Sequence, residues 1–313
     1  MAVTKSDAKP RGFDDLIATT ESARAHVRAL VRAGRRRDAE PDHDRLRAFN
    51  TRRARKRAIR GAEAIVGDTE DFQGASYLTE GAQLRRAVAY VEVNDVRSST
   101  AGSGFLISPR LFITNCHVIG DAKAARAAQI TFDREITADG FPNATTTFLL
   151  DPDTFALFST ENQFDYAIIA IGRVNSGNTI LADLGFCPLS DSPDRHVIGM
   201  NVNIIQHPRG LPKMIAIRNN LLTYRTDRTL LYDTDTDHGS SGAPVWSCHQ
   251  LSFWLTRPIS PYGSPFRRGS APVSAARVRS APAPRDRSYR NCCSAGLIMR
   301  LMVDMPNGEN GTR

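Results

Sequence analysis

Residues 233–244 read Asp-Thr-Asp-Thr-Asp-His-Gly-Ser-Ser-Gly-Ala-Pro, which places a serine, Ser241, in a run with glycines on both sides. Glycine allows a backbone to approach a reacting carbonyl group closely. The N–H groups of Gly239 and Ser241 can therefore point at one spot and hold a developing oxyanion beside the Ser241 hydroxyl. The chemistry that this arrangement predicts is acyl transfer through a serine nucleophile.

A serine hydroxyl is a weak nucleophile, and it needs a histidine base that a buried carboxylate orients. Candidates for both lie upstream, since His117 lies near the end of the apolar run 111–119 and Asp165 lies at the start of the apolar run 164–171. In this interpretation His117 takes the proton from Ser241, while Asp165 fixes the imidazole tautomer. The order along the chain is His, Asp, Ser.

Two other kinds of site share parts of the serine stretch, and neither fits. An α/β-hydrolase elbow needs Gly-x-Ser-x-Gly with its acid and histidine after the serine, but Ala243 replaces the second glycine. A calcium loop that began at Asp233 would need glycine at its sixth position and glutamate at its twelfth, which hold His238 and Pro244. A flexible turn would explain the stretch taken alone, so the two upstream motifs are what favour catalysis.

The order His, Asp, Ser, with Gly-Ser-Gly-Phe-Leu-Ile at residues 102–107, resembles the chymotrypsin-like (trypsin-like) serine proteases. Within them, residues 232–244 are similar to the bacterial glutamyl-endopeptidase branch. The likeness covers about residues 84–247. It implies an all-β fold of two six-stranded antiparallel β-barrels of chymotrypsin type, with the active site between them. The implied activity is that of a serine endopeptidase with a polypeptide substrate, no cofactor and no metal.

The resemblance also implies residues for substrate preference and activation. Thr236 matches the threonine that glutamyl endopeptidases place in the specificity pocket, and His238 would line the mouth of that pocket. The histidine that those enzymes carry on a later strand is not recognisable here. Ser240 stands where trypsin-like zymogens carry an aspartate, so we do not expect activation by a newly cut N-terminal amine.

Short apolar runs between turn residues predict the strands of the two barrels. A polar linker at residues 172–178 separates the two sets. The first set is 102–108, 111–118, 129–134, 145–150, 154–159 and 165–171, and the second is 197–200, 201–206, 214–218, 221–225, 230–232 and 243–246.

Helices are predicted before the barrels. Apolar residues spaced three and four apart indicate an amphipathic helix over 13–33, and an arginine-rich helix is expected over 46–57. A third helix over 76–86 should turn Tyr77, Leu78 and Leu84 inward and lead into a strand over 87–93. The predicted domains are a basic helical extension (1–80), the first barrel (81–173), the second barrel (174–256) and a tail (257–313).

Charge is unevenly distributed along the chain. Residues 1–60 hold 17 Lys and Arg against 8 Asp and Glu, a net charge of +9. Residues 61–244 hold 14 against 22, a net of −8, and residues 245–313 hold 10 against 3, a net of +7. Residues 1–60 could bind a polyanion by counterion release. A solvated helix explains the same pattern, because no aromatic residues are interleaved for stacking on bases.

The tail is rich in Pro, Arg and Ser and shows no strand pattern until residues 295–303. Such a composition is typical of a disordered segment, and a shifted reading frame in the gene would also produce it. The second barrel is then short of strands. An alternative function follows, namely a catalytically impaired, protease-like binding module that acts through its basic terminal segments.

Cysteine spacing and hydropathy bear on redox state and location. The five cysteines include no Cys-x-x-Cys pair of a zinc site, so we expect mostly reduced thiols. The first eleven residues lack the apolar segment of a signal peptide, and no run is long enough to span a membrane. A cytoplasmic location is therefore expected, although glutamyl endopeptidases are commonly secreted.

Overall fold

The structure, a computed structural model, describes residues 13–60, 75–95, 98–160, 164–187, 189, 196–218, 220–226, 229–247, 250–255 and 268–272. The α-helices in these ranges are α1 (Phe13–Arg32), α2 (His43–Arg60), α3 (Ser76–Ala87) and α4 (Ala122–Ala127). The strands are β1 (Val88–Asp95), β2 (Ser98–Leu106), β3 (Leu111–Thr114), β4 (Ala128–Phe132), β5 (Thr146–Ser159), β6 (Tyr166–Ser176), β7 (Val202–Gln206), β8 (Met214–Ala216), β9 (Leu222–Arg225), β10 (Thr229–Asp235), β11 (Pro244–Ser247), β12 (Gln250–Leu255) and β13 (Arg268–Pro272).

The first six strands form a closed antiparallel barrel in the order β1-β2-β3-β6-β5-β4. Closure follows because β1 pairs with both β2 and β4. Alternate residues of β4 (Ala128, Ile130 and Phe132) are fully buried, as expected of a strand with one face toward a core. The predicted six-stranded barrel is therefore confirmed, together with helices that precede it.

The strands that build this barrel differ from the predicted set. The predicted runs 145–150 and 154–159 belong to one strand, β5, whose register shifts between Asp151 and Ala156. The residues between Asp151 and Ala156 lie outside the ladder, which accommodates Pro152 because a residue outside the ladder needs no ladder hydrogen bond. The sixth strand is instead β1. The predicted linker at 172–178 is also wrong, because β6 continues to Ser176 and pairs with β5.

The later strands form two sheets, β12-β11-β7-β8 and β13-β10-β9. One segment joins the sheets, because β8 pairs with β7 and the following strand, β9, pairs with β10. Together with the nucleophile region, these strands make up the second unit (the described residues within 196–272). The described strands of the second unit do not close, so a second six-stranded barrel stays a prediction.

Two predictions for the second unit are wrong. The run 197–200 is a turn rather than a strand, with Gly199 at φ +90°. Its apolar residues are buried against helices, which explains the hydrophobic pattern without strand pairing. The sequence after Ser247 shows no strand pattern before residue 295, but β12 pairs with β11 and, within the predicted tail, β13 pairs with β10. Residues 256–267 and 273–313 lie outside the described residues.

The N-terminal helices pack on the second unit. Val27 of α1 and Ala39 share a cluster with Ile198, and Phe49 of α2 shares another with Val197 and Met200. Two buried or partly buried ion pairs also join the N-terminal segment to strands of the second unit. Arg28 of α1 binds both carboxylate oxygens of Asp233 of β10 at 2.8 and 3.2 Å. Arg225 of β9 binds both oxygens of Glu40, which precedes α2, at 2.8 Å each. These helices therefore brace the second unit.

Helix α3 lies between the barrel and the second unit. Leu84 is buried in the barrel core, and the Tyr77 ring stacks on Trp246 of β11 with ring centroids 5.0 Å apart. The prediction that Leu78 turns inward is wrong, because this side chain is 74% exposed. The helix period carries Leu78 away from the face that Tyr77 and Leu84 share.

Candidate active site

Barrel topology brings His117 and Asp165 to one edge. β3 and β6 are antiparallel neighbours in which Thr114 pairs with Ala167, so residues after the end of β3 lie beside residues before the start of β6. His117 donates its backbone N–H to Asp165 Oδ1 at 3.1 Å, and its ring Nδ1 lies 2.8 Å from Asp165 Oδ2. The carboxylate therefore holds both the backbone and the ring of His117.

Asp165 is fixed from several sides. It is 1% exposed and adopts the left-handed backbone conformation at φ +53°, which is uncommon for a residue other than glycine. Its carbonyl accepts a hydrogen bond from the Asn115 amide at 2.8 Å, and its N–H donates to Thr160 O at 3.1 Å. The sequence pattern alone predicts no role for Asn115, although its position two residues before His117 could have indicated one.

Ser241 completes a continuous contact chain. Its Oγ lies 2.7 Å from His117 Nε2. Because Nδ1 faces a carboxylate, the proton of a neutral ring belongs on Nδ1, and Nε2 then accepts the Ser241 hydroxyl. The His117 side chain is 24% exposed and Ser241 is 7% exposed. The structure thus brings together the three residues that the sequence predicts as base, acid and nucleophile.

Backbone hydrogen bonds hold the chain before and after Ser241. Arg209 N–H donates to His238 O, and Ala243 N–H donates to Ser240 O at 3.0 Å. Gly239 has φ +88°, and a Cβ there would lie 2.5 Å from His207 O, so glycine is required. Among the described residues, neither Gly239 nor Ser241 donates its N–H to a protein acceptor.

The residues predicted for substrate preference lie just before this turn. Thr236 is half-buried and His238 is exposed. Asp237, between them, accepts from His238 N–H at 2.8 Å and pairs with Arg209 Nε at 2.5 Å. Burial by itself would raise the pKa of Asp237. The hydrogen bond from His238 N–H and the charge of Arg209 outweigh it, so the pKa is lowered.

A further histidine, His207, lies behind the turn and is fully buried. Its Nδ1 lies 3.1 Å from Leu211 O, and its ring meets Tyr90 edge-on with centroids 5.7 Å apart. Burial, aided by the positive charges of Lys213 and Arg134, lowers the pKa of His207 to about 3. The ring is therefore neutral at physiological pH.

Within the described ranges, no group of three or more His, Cys, Asp and Glu side chains could hold a metal ion. The helices in the same ranges include none with the length and apolar character to cross a membrane. The predicted polyanion contact through residues 1–60 stays a prediction.

Comparison with known proteins gives one family match. Residues 102–251 match the family model described as trypsin-like peptidase domain. An uncharacterized protein of Sinorhizobium fredii is 35% identical over 232 residues, which are 69% of this chain and 34% of that protein. The chain thus matches about a third of the length of this curated relative.

Two solved structures are also similar. The active form of the Rv3671c protease from M. tuberculosis is 14% identical, with 68% of this chain and 90% of that chain covered and a TM-score of 0.42. A serine endoprotease from Yersinia pestis is 20% identical, with 64% and 63% covered and a TM-score of 0.42. The family match, which spans His117, Asp165 and Ser241, supports a trypsin-like serine protease domain in residues 102–251.

Proposed function

We propose that the protein is a serine endopeptidase that acts through His117, Asp165 and Ser241. The observation that carries the proposal is the unbroken contact chain from Asp165 Oδ2 through the His117 ring to Ser241 Oγ, with spacings of 2.8 and 2.7 Å. Each contact has the length of a hydrogen bond that can orient a base and activate a hydroxyl.

The reaction follows from these contacts. Ser241 Oγ attacks the peptide carbonyl carbon while its proton passes to His117 Nε2. The N–H groups of Gly239 and Ser241 stabilise the resulting oxyanion. When the C–N bond breaks, His117 returns the proton to the leaving amine, and an acyl-enzyme forms on Ser241. Water activated by His117 then attacks the ester, which releases the acid and restores the serine.

The proposed substrate preference is for glutamate before the cleaved bond. It is supported by the match of Thr236 to the glutamyl-endopeptidase pattern and by the place of Thr236 on the segment that leads into the nucleophile turn. A peptide library that varies only the residue before the cleaved bond tests this preference. Cleavage after basic or aromatic residues at equal rates would contradict it.

The activity is tested with a fluorophosphonate probe and a peptide substrate. We expect Ser241→Ala to lose both labelling and cleavage while the fold survives, because the change removes one oxygen atom at the site. Ser240→Ala is the matched control and should keep most of the labelling, since Ser240 Oγ accepts a hydrogen bond from Asp237 N–H, at 3.2 Å, whereas Ser241 Oγ faces His117. Equal labelling of wild type and Ser241→Ala would contradict the nucleophile assignment.

A further inference from the structure

Ser103 of β2 makes an unusual set of contacts to the nucleophile turn, although the sequence indicates no role for it beyond the motif at residues 102–107. It is fully buried and pairs with Tyr90 inside the closed barrel. Its N–H donates to Ser241 O at 2.7 Å, and its hydroxyl donates to Gly239 O at 2.7 Å. One barrel residue thus binds the carbonyl groups on both sides of Ser240.

The hydroxyl of Ser103 is used twice. Besides donating to Gly239 O, it accepts the N–H of His207 at 2.9 Å, so it joins the nucleophile turn to the loop behind it. The Ser103 carbonyl accepts from Thr114 Oγ1 at 2.8 Å, and Thr114 ends the strand that leads to His117. Ser103 therefore connects the strand that positions the base with the turn that holds the nucleophile.

The position of the Gly239 carbonyl decides where the oxyanion donors point. A peptide unit is planar, so holding Gly239 O fixes the plane that links Gly239 to Ser240. That plane lies between the N–H of Gly239 and the N–H of Ser241. Because Gly239 is in the left-handed region at φ +88°, the residue itself restrains this plane little. The plane is held by hydrogen bonds instead, from Ser103 Oγ to Gly239 O and from Ser240 N–H to Asp237 O at 2.9 Å.

We propose that Ser103 is a positioning residue for oxyanion stabilisation, acting through the hydrogen bond from its hydroxyl to Gly239 O. The inference rests on the proposed peptidase function and assigns Ser103 no contact with substrate. Loss of the hydroxyl leaves Gly239 O and His207 N–H without their partner in a buried site. The turn then samples orientations in which its two N–H groups no longer converge.

The test compares Ser103→Ala with Ser103→Cys and with Thr223→Val. Thr223 is a control of equal burial, since its hydroxyl donates to Leu231 O at 3.0 Å rather than to a carbonyl of the nucleophile turn. Each full-length variant is assayed for kcat, KM, fluorophosphonate labelling rate, thermal midpoint and the pH profile of kcat/KM.

We expect Ser103→Ala to lower kcat and labelling by about 10- to 100-fold, less than the deletion of an oxyanion donor itself. KM and the midpoint of the pH profile should stay constant, because the contacts of His117 are untouched. Ser103→Cys, which keeps a weak donor, should fall between Ser103→Ala and wild type. Thr223→Val should lower the thermal midpoint without changing kcat.

Different results overturn different claims. Wild-type kcat in folded Ser103→Ala, or a loss of kcat no larger than in Thr223→Val, would remove the role of Ser103 and leave the peptidase assignment standing. If Ser103→Ala does not fold, wild-type kcat in Ser103→Cys has the same meaning. A wild-type protein that neither cleaves peptides nor labels at Ser241 would overturn the proposed function and this inference with it.

Discussion

The barrel and the second unit are stabilised by different kinds of contact. The barrel closes on its own six strands, so every strand has two neighbours. The second unit consists of two sheets whose described strands leave edges, and N-terminal helices and charged contacts brace it. His117 and Asp165 lie on the closed barrel, whereas Ser241 lies on the braced unit. The nucleophile therefore depends on contacts that reach across from other parts of the chain.

The contact between the two regions is where the largest effect is expected. A Cβ on Gly242 would lie 2.1 Å from Ser103 O and 2.4 Å from Thr114 Oγ1, and Gly242 has φ +83°. Gly242→Ala adds this clash to the backbone strain, so we expect it to cost more than about 3 kcal/mol of unfolding free energy. Urea denaturation and fluorophosphonate labelling provide the measurement.

Gly140 provides the control for strain alone. Its φ is +84°, nearly that of Gly242, but a Cβ there would meet nothing within 4 Å. Gly140→Ala should cost only about 1–2 kcal/mol and leave labelling unchanged. If the two substitutions have equal effects, the close approach between barrel and nucleophile turn is not what fixes Gly242.

The next effect concerns the bracing of the second unit. Glu40 is fully buried, and besides Arg225 it accepts the N–H of Ile198 at 2.7 Å. Arg225→Ala removes the guanidinium that binds both oxygens of this carboxylate, while the charge of Arg45 still acts on Glu40. Breaking a buried pair of this kind costs up to about 3–5 kcal/mol. Hydrogen exchange should show reduced protection in β9 and β10, while the barrel strands keep theirs.

Arg126→Ala is the matched control on the barrel side. Arg126 pairs with Asp153 at 2.5 Å, but the two side chains are 54% and 73% exposed, and such surface pairs contribute little to stability. We expect no local change in hydrogen exchange. If Arg225→Ala lowers protection in both regions equally, the barrel is not independent of the bracing helices.

The comparison also explains which features the sequence could predict. His117 and Asp165 lie next to barrel strands whose apolar runs are readable, because those strands pair with neighbours in a regular sheet. The strand predicted at 197–200 is wrong because helices, not a neighbouring strand, bury its apolar residues. A hydrophobic pattern shows that residues are buried but cannot show which element they pack against.

The role of Ser103 illustrates a different limit. Its motif was visible in the sequence, but the acceptor of its hydroxyl, Gly239 O, lies 136 residues away. A local sequence pattern cannot predict such a long-range contact. The strands β12 and β13 were missed for a similar reason, since pairing with β11 and β10 defines them more than any alternation of their own residues.

Near neutral pH, the smallest effect expected is a pH dependence that arises in the second unit. His207 has a pKa of about 3 in the folded protein because burial disfavours its charged form, against about 6.5 for an ordinary histidine. Between these two values the unfolded chain binds a proton that the folded chain does not. The stability contributed by a neutral His207 is therefore fully present above pH 6.5 and decreases as the pH falls toward 3, by at most about 1.4 kcal/mol per pH unit.

Urea denaturation of wild type and His207→Phe between pH 3.5 and 7.5 measures this contribution. The variant cannot take up the proton, so its unfolding free energy should fall less steeply with decreasing pH than that of wild type. His26→Gln, on the exposed side of α1, should keep the wild-type slope. Because His207 lies behind the turn that holds Gly239, acid should loosen the nucleophile region before the barrel. Equal slopes in wild type and His207→Phe would show that the buried ring takes up no proton on unfolding, and would remove this distinction between the two regions.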